Sequence, residues 1–520
     1  MKPGLRRLQP LAGPLLAAAL GALQTLAFVH TALWPLPLAT MAWLVWRLNA
    51  STPGRAALLG WCYGTAWLCA GTWWLFISMH RYGGLPAPLA GAAVFALSAA
   101  LSLYLAAACA AYTRWRRGGA ADVALFSAVW LLAELARGLL FTGFPWLAAG
   151  YAMVDAPLVA LAPWLGVYGI GAVMAALAAG SVLALQAARR GTGARSAVPA
   201  LAVPLGLVLG LVLAAWAAPA DFTRPAGTLR VDLLQSNVAQ DEKFAAEHMP
   251  EALAWVARAL LESGADLVVA PETAVPLPPG QLDEFAPGYW PLLQARFDER
   301  GAALVGVPLG DPERGYTNSV AGLSAGVAYR YDKHHLVPFG EFIPTGFRWF
   351  TRMMNIPLGD FNRGGLQQAS FVVAGQRVAP NICYEDLFGE ELAQRFADAA
   401  TAPTVLANIS NIGWFGDTIA IPQHLNISRL RTLELQRPML RATNTGATAV
   451  IDHRGVITAL LAPHARGVLS ATAQGREGST PFAWWAARFG LLPLVLLAAA
   501  CVLPCALMSV VRPVARPPRP

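Results

Sequence analysis

Charged residues are scarce in this sequence. Only 13% of the 520 residues are charged and 56% are hydrophobic, whereas about 25% of the residues in a soluble domain are charged. Acidic residues are nearly missing from the first 220 positions, where only Asp122, Glu134 and Asp155 occur, and 27 of the 30 lie between Asp221 and Glu477. These shortages exclude a disordered chain and an ordinary soluble protein. They predict one part in lipid and another in water.

Cysteine is scarce as well, and of the six cysteines only Cys383 lies in the acidic segment. The other five lie in apolar stretches, where the expected role is that of a small buried hydrophobic residue. A lone cysteine has no disulfide partner within its own domain. Cys383 is therefore either an inert buried side chain or a reactive thiol, and its position alone leaves both readings open.

The net charge of +8 would suit a nucleic-acid partner, but its distribution does not. Outside residues 221–477 the basic residues lie in short runs between long apolar stretches. That arrangement is typical of a membrane topology signal. We therefore expect no nucleic acid among the partners of this protein.

Eight apolar stretches are candidates for transmembrane helices, because about 20 apolar residues cross the hydrocarbon core. They cover residues 11–29, 32–46, 56–76, 88–112, 123–140, 158–186, 197–218 and 482–511. The predicted parts are seven helices in 1–220, a water-soluble domain in 221–478, and an eighth helix with a basic tail in 479–520. Basic residues concentrate in alternate loops, which predicts cytoplasmic termini and a periplasmic soluble domain.

The soluble segment alternates short apolar runs with helical patterns. Strands are predicted at 229–235, 266–270, 303–307, 327–331, 371–374, 378–383, 404–410 and 447–452. Helices are predicted at 247–263, 291–300, 387–399 and 422–435. This alternation indicates an α/β domain, in which catalytic groups tend to lie at the ends of strands.

Glu272, Lys333 and Cys383 each follow one of the predicted strands. Taken singly, each has an ordinary explanation: a solvated loop carboxylate, a surface charge and a core thiol. Together they supply a thiol that attacks a carbonyl, a carboxylate that takes its proton and a cation that stabilises the oxyanion. The set predicts nucleophilic acyl chemistry that requires no metal and no other cofactor.

Three motifs carry a family resemblance: PET at 271–273, YDKHHLVPFGE at 331–341 and CYE at 383–385. With them, the soluble segment resembles the nitrilase, or carbon-nitrogen hydrolase, superfamily. The predicted spans and the string RGLLFTGFPW at 137–146 extend the likeness. Nearly the whole chain resembles the apolipoprotein N-acyltransferase family.

This resemblance implies a four-layer αββα sandwich on the outer face of a bacterial inner membrane. It implies transfer of a fatty acyl chain from a membrane phospholipid, through a thioester, to the N-terminal α-amine of a diacylated apolipoprotein. It gives the role of nucleophile to Cys383, of general base to Glu272 and of oxyanion partner to Lys333. It gives supporting roles to Glu341, Tyr384 and Glu385. The bilayer is the expected surrounding partner, and a monomer suffices.

Aromatic residues near these motifs are expected to form a lid or to face lipid. Phe244 stands seven residues after Asn237, where members of the family commonly carry tryptophan, so the indole N–H is lost. The apolar segment 342–358 directly follows the lysine motif and predicts an arm that meets the membrane surface. The expected lid or lipid-facing residues are Phe244, Phe342, Trp349, Phe350 and Trp414. An ordinary core role is the alternative for the arm and for Trp414.

Two other functions compete at this point. A membrane-anchored amidase or nitrilase would use the same three residues with water as the acceptor, although one anchor would suffice for it. A transporter or scaffold would carry an inactive outer domain, which the complete set of three residues opposes.

Two polar pairs also look functional. The adjacent His334 and His335 point to opposite faces of an extended segment, so no metal site is predicted there. Glu134 and Arg137 are one helical turn apart. They either pair with each other or contact a lipid headgroup.

Overall fold

The structure is a computed structural model of the protein. It describes residues 3–189, Gly206, Gly210, 221–344, Gly346 and 360–511. The chain forms two compact units: 1–73, 92–220 and 491–520 in the first, and 74–91 and 221–490 in the second.

Long apolar helices build the first unit. The long helices are Pro3–Gln24, Pro35–Leu48, Pro53–Thr72, Ala87–Trp115, Ala121–Leu139, Ala162–Arg189 and Leu492–Val511. Short helical turns connect them at Thr25–Phe28, Thr31–Leu33, Leu140–Thr142, Ala149–Met153 and Pro157–Leu161. Several helices begin at a proline, whose fixed φ suits the first helical turn and whose missing N–H is not needed there.

Five of these helical segments are long and apolar enough to cross a membrane. They are Leu11–Phe28, Ala87–Trp115, Ala121–Thr142, Pro157–Arg189 and Leu492–Ser509. The predicted spans at 32–46 and 56–76 are helical but fall outside this set, and the span at 197–218 lies outside the described residues apart from two glycines. The count of eight therefore stays a prediction.

Glu134 and Arg137 pair with each other, which is the first of the two arrangements expected from the sequence. Both side chains are buried, and the carboxylate oxygen Oε1 lies 3.7 Å from a guanidinium nitrogen. Glu134 also accepts a hydrogen bond from the Ala149 backbone N–H at 2.7 Å, and Arg137 donates to the Phe144 carbonyl at 3.0 Å. The pair thus ties the fifth long helix to the turn that follows it.

Two six-stranded sheets form the second unit. The strands are β1 (Thr223–Gln235), β2 (Leu267–Val269), β3 (Ala302–Asp311), β4 (Gly315–Ser324), β5 (Val327–Asp332), β6 (Phe371–Val373), β7 (Gln376–Ile382), β8 (Val405–Ser410), β9 (Met439–Thr443), β10 (Thr448–Ile451), β11 (Ile457–Leu461) and β12 (Gly467–Gly478). The first sheet has the order β12-β1-β2-β3-β4-β5, and the second has the order β11-β10-β9-β8-β7-β6. Parallel pairing at β1–β2–β3 and at β7–β8–β9 lies in the middle of each sheet.

The two sheets pack face to face through alternate side chains. Val231 and Leu267 of the first sheet share one buried cluster with Val378 and Ile409 of the second sheet. Neighbouring residues of the same strands point outward, because side chains alternate along a strand. Val268, for example, belongs to a separate outer cluster.

Helices cover both outer faces. Met249–Glu262, Pro279–Phe285 and Tyr289–Glu299 cover the first sheet, and Gly389–Ala393, Ala420–Leu435 and Pro481–Phe489 cover the second. Shorter helical turns lie at Leu75–Ile77, Ser78–Tyr82, Cys383–Leu387, Gln394–Phe396 and Ile412–Phe415. The layers are those of the expected αββα sandwich.

The helix Pro481–Phe489 follows the predicted boundary between residues 478 and 479. Phe482 and Ala486 are buried in the cluster that covers the second sheet, so Pro481–Phe489 belongs to the sandwich. Gly490 then adopts a positive φ of 55°, which ends that helix. The final long helix begins only at Leu492.

Candidate active site

The three residues singled out in the sequence all lie just beyond strand ends. Glu272 follows β2 and Lys333 follows β5, both in the first sheet, whereas Cys383 follows β7 in the second. The Lys333 ammonium Nζ lies 3.5 Å from Glu272 Oε1. Both charged groups act electrostatically on the Cys383 thiol. The packing of the two sheets therefore brings the thiol, the carboxylate and the cation to one place.

Glu272 is held by two hydrogen bonds. Its Oε1 accepts from the Asn318 side-chain amide at 2.7 Å, and its Oε2 accepts from the Asn411 backbone N–H at 2.7 Å. The same Asn318 amide nitrogen donates to Glu341 Oε1 at 2.6 Å. These bonds fix the orientation of the carboxylate, so that it can act on a proton without first searching for a rotamer.

Lys333 is 1% exposed and lies between two carboxylates. Its Nζ is 2.9 Å from Glu341 Oε2, in addition to the contact with Glu272. Burial by itself would lower the pKa of Lys333, but the negative charges of Glu341 and Glu272 outweigh it and raise the pKa above the ordinary lysine value. This side chain is therefore a permanent cation at neutral pH.

The backbone of Cys383 adopts an unusual conformation. Its φ is +51°, in the left-handed region that a non-glycine residue seldom occupies. Glu385 holds the turn from inside: it accepts hydrogen bonds from the backbone N–H of Ile382 at 2.6 Å and of His334 at 2.7 Å, and from the Tyr331 hydroxyl at 2.8 Å. One carboxylate thus joins the cysteine turn to the segment that carries Lys333.

A second layer of polar groups supports the Cys383 carbonyl. It accepts hydrogen bonds from His424 Nε2 at 3.2 Å and from the Asn408 side-chain amide at 3.3 Å. Arg441 lies 2.7 Å from His424 Nδ1. Because arginine can only donate, Nδ1 is the acceptor and the imidazole proton is on Nε2. Burial, and then the charge of Arg441, lower the pKa of His424 well below its ordinary value, so the ring is neutral.

The Cys383 thiol is partly exposed and is not ionised in advance. Burial raises its pKa above the ordinary value, the charge of Glu272 raises it further, and Lys333 opposes the shift. A thiolate at this position would therefore have to be produced by proton removal at the moment of attack. Glu272, which acts electrostatically on this thiol, is the carboxylate predicted to remove that proton.

The other supporting residue, Tyr384, is 5% exposed. Its ring lies 5.7 Å from that of His335 and 5.3 Å from that of Phe388. His335 in turn contacts the Glu391 carboxylate at 3.0 Å. This aromatic packing holds the turn that follows Cys383.

The structure describes three of the five residues that are expected to form a lid or to face lipid. Phe244, Phe342 and Trp414 are half-buried, and Trp349 and Phe350 lie outside the described residues. Arg363 stacks on the Phe342 ring at 4.8 Å, and the Tyr82 ring meets Trp414 edge-on at 5.7 Å. The lid role of these residues stays a prediction.

Several residues of the site had no clear sequence signal. Asn318 lies within β4, a strand that the pattern did not predict, and Arg441 lies within the buried β9. Lys243 lies in the turn before the helix Met249–Glu262 and donates to the Glu272 carbonyl at 2.8 Å. A polar residue inside an apolar strand run was the available signal for Arg441, because such a side chain is buried only with partners.

Family models match both parts of the chain. Residues 20–180 match the apolipoprotein N-acyltransferase N-terminal domain, and residues 233–482 match carbon-nitrogen hydrolase. Together with the two sheets and the residues at their strand ends, these matches define a membrane protein with a carbon-nitrogen hydrolase domain. The match of the membrane part favours an acyltransferase over an anchored amidase.

Three relatives named apolipoprotein N-acyltransferase are similar over most of their length. The one from Verminephrobacter eiseniae is 56% identical over 484 residues, which cover 88% of this chain and 89% of the relative. The one from Ralstonia nicotianae is 46% identical, over 93% of this chain and 92% of the relative. The one from Bordetella bronchiseptica is 42% identical, over 94% of this chain and 96% of the relative. This chain belongs to the apolipoprotein N-acyltransferase family, and it is an acyltransferase.

Proposed function

We propose that this acyltransferase moves a fatty acyl chain from a membrane phospholipid to the N-terminal α-amine of a diacylglyceryl-cysteine on an apolipoprotein. The fatty acyl group would be held as a thioester on Cys383 between the two substrates. The observation that carries the proposal is the buried contact of Lys333 with Glu272 and Glu341, together with the electrostatic effect of this cluster on Cys383. The name of the relatives, apolipoprotein N-acyltransferase, gives the class of acceptor.

In the first half-reaction Glu272 takes the proton of the Cys383 thiol. The thiolate attacks an ester carbonyl of the phospholipid, and Lys333 with backbone N–H groups stabilises the tetrahedral oxyanion. The C–O bond then breaks, and Glu272 gives its proton to the leaving oxygen. A lysophospholipid departs and the acyl thioester remains.

In the second half-reaction the neutral α-amine of the acceptor attacks the thioester carbonyl. A C–N bond forms, the C–S bond breaks, and Lys333 again faces the oxyanion. Glu272 takes a proton from the attacking nitrogen and returns it to the Cys383 sulfur. Two such half-reactions with one covalent intermediate are a ping-pong mechanism, and the chemistry requires no cofactor.

Both substrates carry fatty acyl chains, which accounts for the membrane part. Moving an acyl chain into water would cost about 0.8 kcal/mol per CH₂ group. We therefore propose an open side toward the bilayer, formed by Phe244, Phe342 and Trp414. Basic residues in alternate loops support an inner-membrane protein with a periplasmic catalytic domain and cytoplasmic termini. A monomer suffices for this scheme.

The test uses the full-length protein in vesicles of one phospholipid with a defined acyl chain. A synthetic diacylglyceryl-cysteine peptide is added, and the peptide and the lipids are followed by mass spectrometry. The proposal expects one acyl chain on the α-amine and one lysophospholipid for each peptide modified. A matched peptide with an acetylated α-amine is the control and should stay unchanged. Release of free fatty acid with no peptide product would instead indicate a hydrolase.

A further inference from the structure

Lysine is almost absent from this protein. Only three of the 38 basic residues are lysines, namely Lys2, Lys243 and Lys333, and the remainder are arginines. Lys243 is 6% exposed and Lys333 is 1% exposed. An arginine keeps its proton in proteins, whereas a buried lysine readily loses it. A lysine at position 243, in a chain that otherwise uses arginine, suggests that its ability to lose a proton matters.

The surroundings of Lys243 differ from those of Lys333. The Lys243 Nζ donates one hydrogen bond, of 2.8 Å, to the backbone carbonyl of Glu272. Among the residues that the structure describes, no carboxylate makes an ion pair with it, whereas Lys333 contacts two. A carbonyl can accept a hydrogen bond from a neutral amine as well as from an ammonium. The geometry of Lys243 therefore permits both protonation states.

Few charged groups face Lys243. Glu272, after β2, and Cys383, after β7, interact with it electrostatically. On its own turn Asp241 pairs with Arg81 at 3.1 Å, and Glu242 is exposed to solvent. Burial lowers the pKa of Lys243 to about 7, although the electrostatic effects of Glu272 and Cys383 oppose the shift. The side chain can thus exchange a proton near neutral pH.

The second half-reaction contains a proton that no assigned residue removes. An α-amine has an ordinary pKa of about 7.7–8.0 and is mostly an ammonium at neutral pH. It must lose one proton before it can attack and a second as the amide forms. Glu272 moves only one of them, from the attacking nitrogen to the Cys383 sulfur. A second base at the site would remove the other proton, so that the ammonium form, which is the more abundant one, could react.

We propose that Lys243, as a neutral amine, accepts the first proton of the acceptor's α-ammonium group. The ammonium becomes an amine and Lys243 becomes an ammonium. The amine then attacks the thioester while Glu272 carries the second proton to the departing sulfur. Lys243 afterwards releases its proton to water, so one proton leaves per amide formed and the charges balance. This inference rests on the proposed function.

The test separates the two half-reactions. Full-length wild-type protein, Lys243→Met, Lys243→Arg and the exposed neighbour Glu242→Gln as control are loaded from phospholipid vesicles. Thioester formation is measured by intact mass. Its consumption is then timed with the diacylated peptide between about pH 6 and about pH 9, and separately with hydroxylamine, which is already neutral at neutral pH.

The inference expects both Lys243 variants to lose far more in transfer to the peptide than in thioester formation, because the proposed base acts only in the second half-reaction. Transfer to the peptide should be about a hundredfold slower near neutral pH, which is the usual loss for a missing base. The deficit should shrink as pH rises above the amine pKa, and hydroxylamine should cleave the thioester at the wild-type rate. Lys243→Arg should fail like Lys243→Met, because it keeps the charge but cannot accept a proton.

Three results would overturn it: normal transfer by Lys243→Arg, a deficit that does not change with pH, or an equal loss in both half-reactions. The last would mark Lys243 as a structural support of the Glu272 loop. If the wild-type protein forms no thioester, the proposed function itself fails and this inference falls with it.

Discussion

The two sheets contribute to the site in different ways. The first sheet places two charged residues, Glu272 and Lys333, just beyond its strand ends and 3.5 Å apart. The second sheet carries Cys383, and its residue Arg441 contacts the neutral ring of His424, which donates to the Cys383 carbonyl. In the proposed mechanism, charge is therefore used where bonds change, and a neutral donor fixes the position of the nucleophile.

This division is tested most severely by Lys333→Met. Losing a cation at the oxyanion costs about 10²–10³ in rate, and the variant also leaves two buried carboxylates facing each other. We expect thioester formation, measured by intact mass on phospholipid vesicles, to fall by at least that factor. Activity within tenfold of wild type would remove Lys333 from the chemistry and break the contrast between the sheets.

The variant Arg441→Met tests the supporting role of the second sheet. Its guanidinium contacts His424 Nδ1 at 2.7 Å and lies 3.6 Å from the buried Asp386 carboxylate. Breaking a buried pair costs about 3–5 kcal/mol. We expect a clear fall in the thermal unfolding midpoint of the soluble domain. Arg454→Met removes an exposed partner of Asp221 and serves as control, with a change of about 0–1 kcal/mol. Equal midpoints for the two variants would contradict a supporting role for Arg441.

The variant Gly306→Ala tests how precisely the Glu272 carboxylate, the proposed base, must be positioned. A Cβ at position 306 of β3 would lie 2.3 Å from the Pro271 carbonyl oxygen and 2.8 Å from the Glu272 Cα. The loop must move, and a displacement of about 1 Å can cost about a hundredfold in rate. Gly264→Ala, where no atom lies within 4 Å of the new Cβ, is the control. The measurement is the acyl-transfer rate of each variant, and we expect a loss in Gly306→Ala alone. An unchanged rate in Gly306→Ala would show that the base tolerates misplacement.

The pH dependence of Cys383 alkylation sharpens the same contrast. Because burial raises the pKa of this thiol, the thiolate fraction in the resting protein stays small at neutral pH and grows with pH. The rate of iodoacetamide labelling of the Cys383 peptide should rise by about tenfold per pH unit through about pH 9. A plateau at lower pH would mean a thiol ionised in advance, with no need for Glu272.

The sequence predicted the parts of the site that lie at strand ends, because short apolar runs followed by polar residues are visible locally. Glu272, Lys333 and Cys383 are of this kind. Asn318 was not predicted, since β4 contains glycine, threonine and serine and lacks an apolar run. The contact of His424 with Arg441 joins a helix to a strand and exists only after packing. The helix Pro481–Phe489 was joined to the final span because both are apolar, and the short break at Gly490 is all that separates them.

The most direct test of the account is intact-protein mass spectrometry of the wild-type protein after incubation with vesicles of one phospholipid, beside Cys383→Ala. The account predicts a mass increase of one fatty acyl chain on the wild-type protein, lost on treatment with hydroxylamine and absent from Cys383→Ala. A wild-type protein that stays unmodified, or a Cys383→Ala protein that carries the same hydroxylamine-sensitive mass, would contradict it.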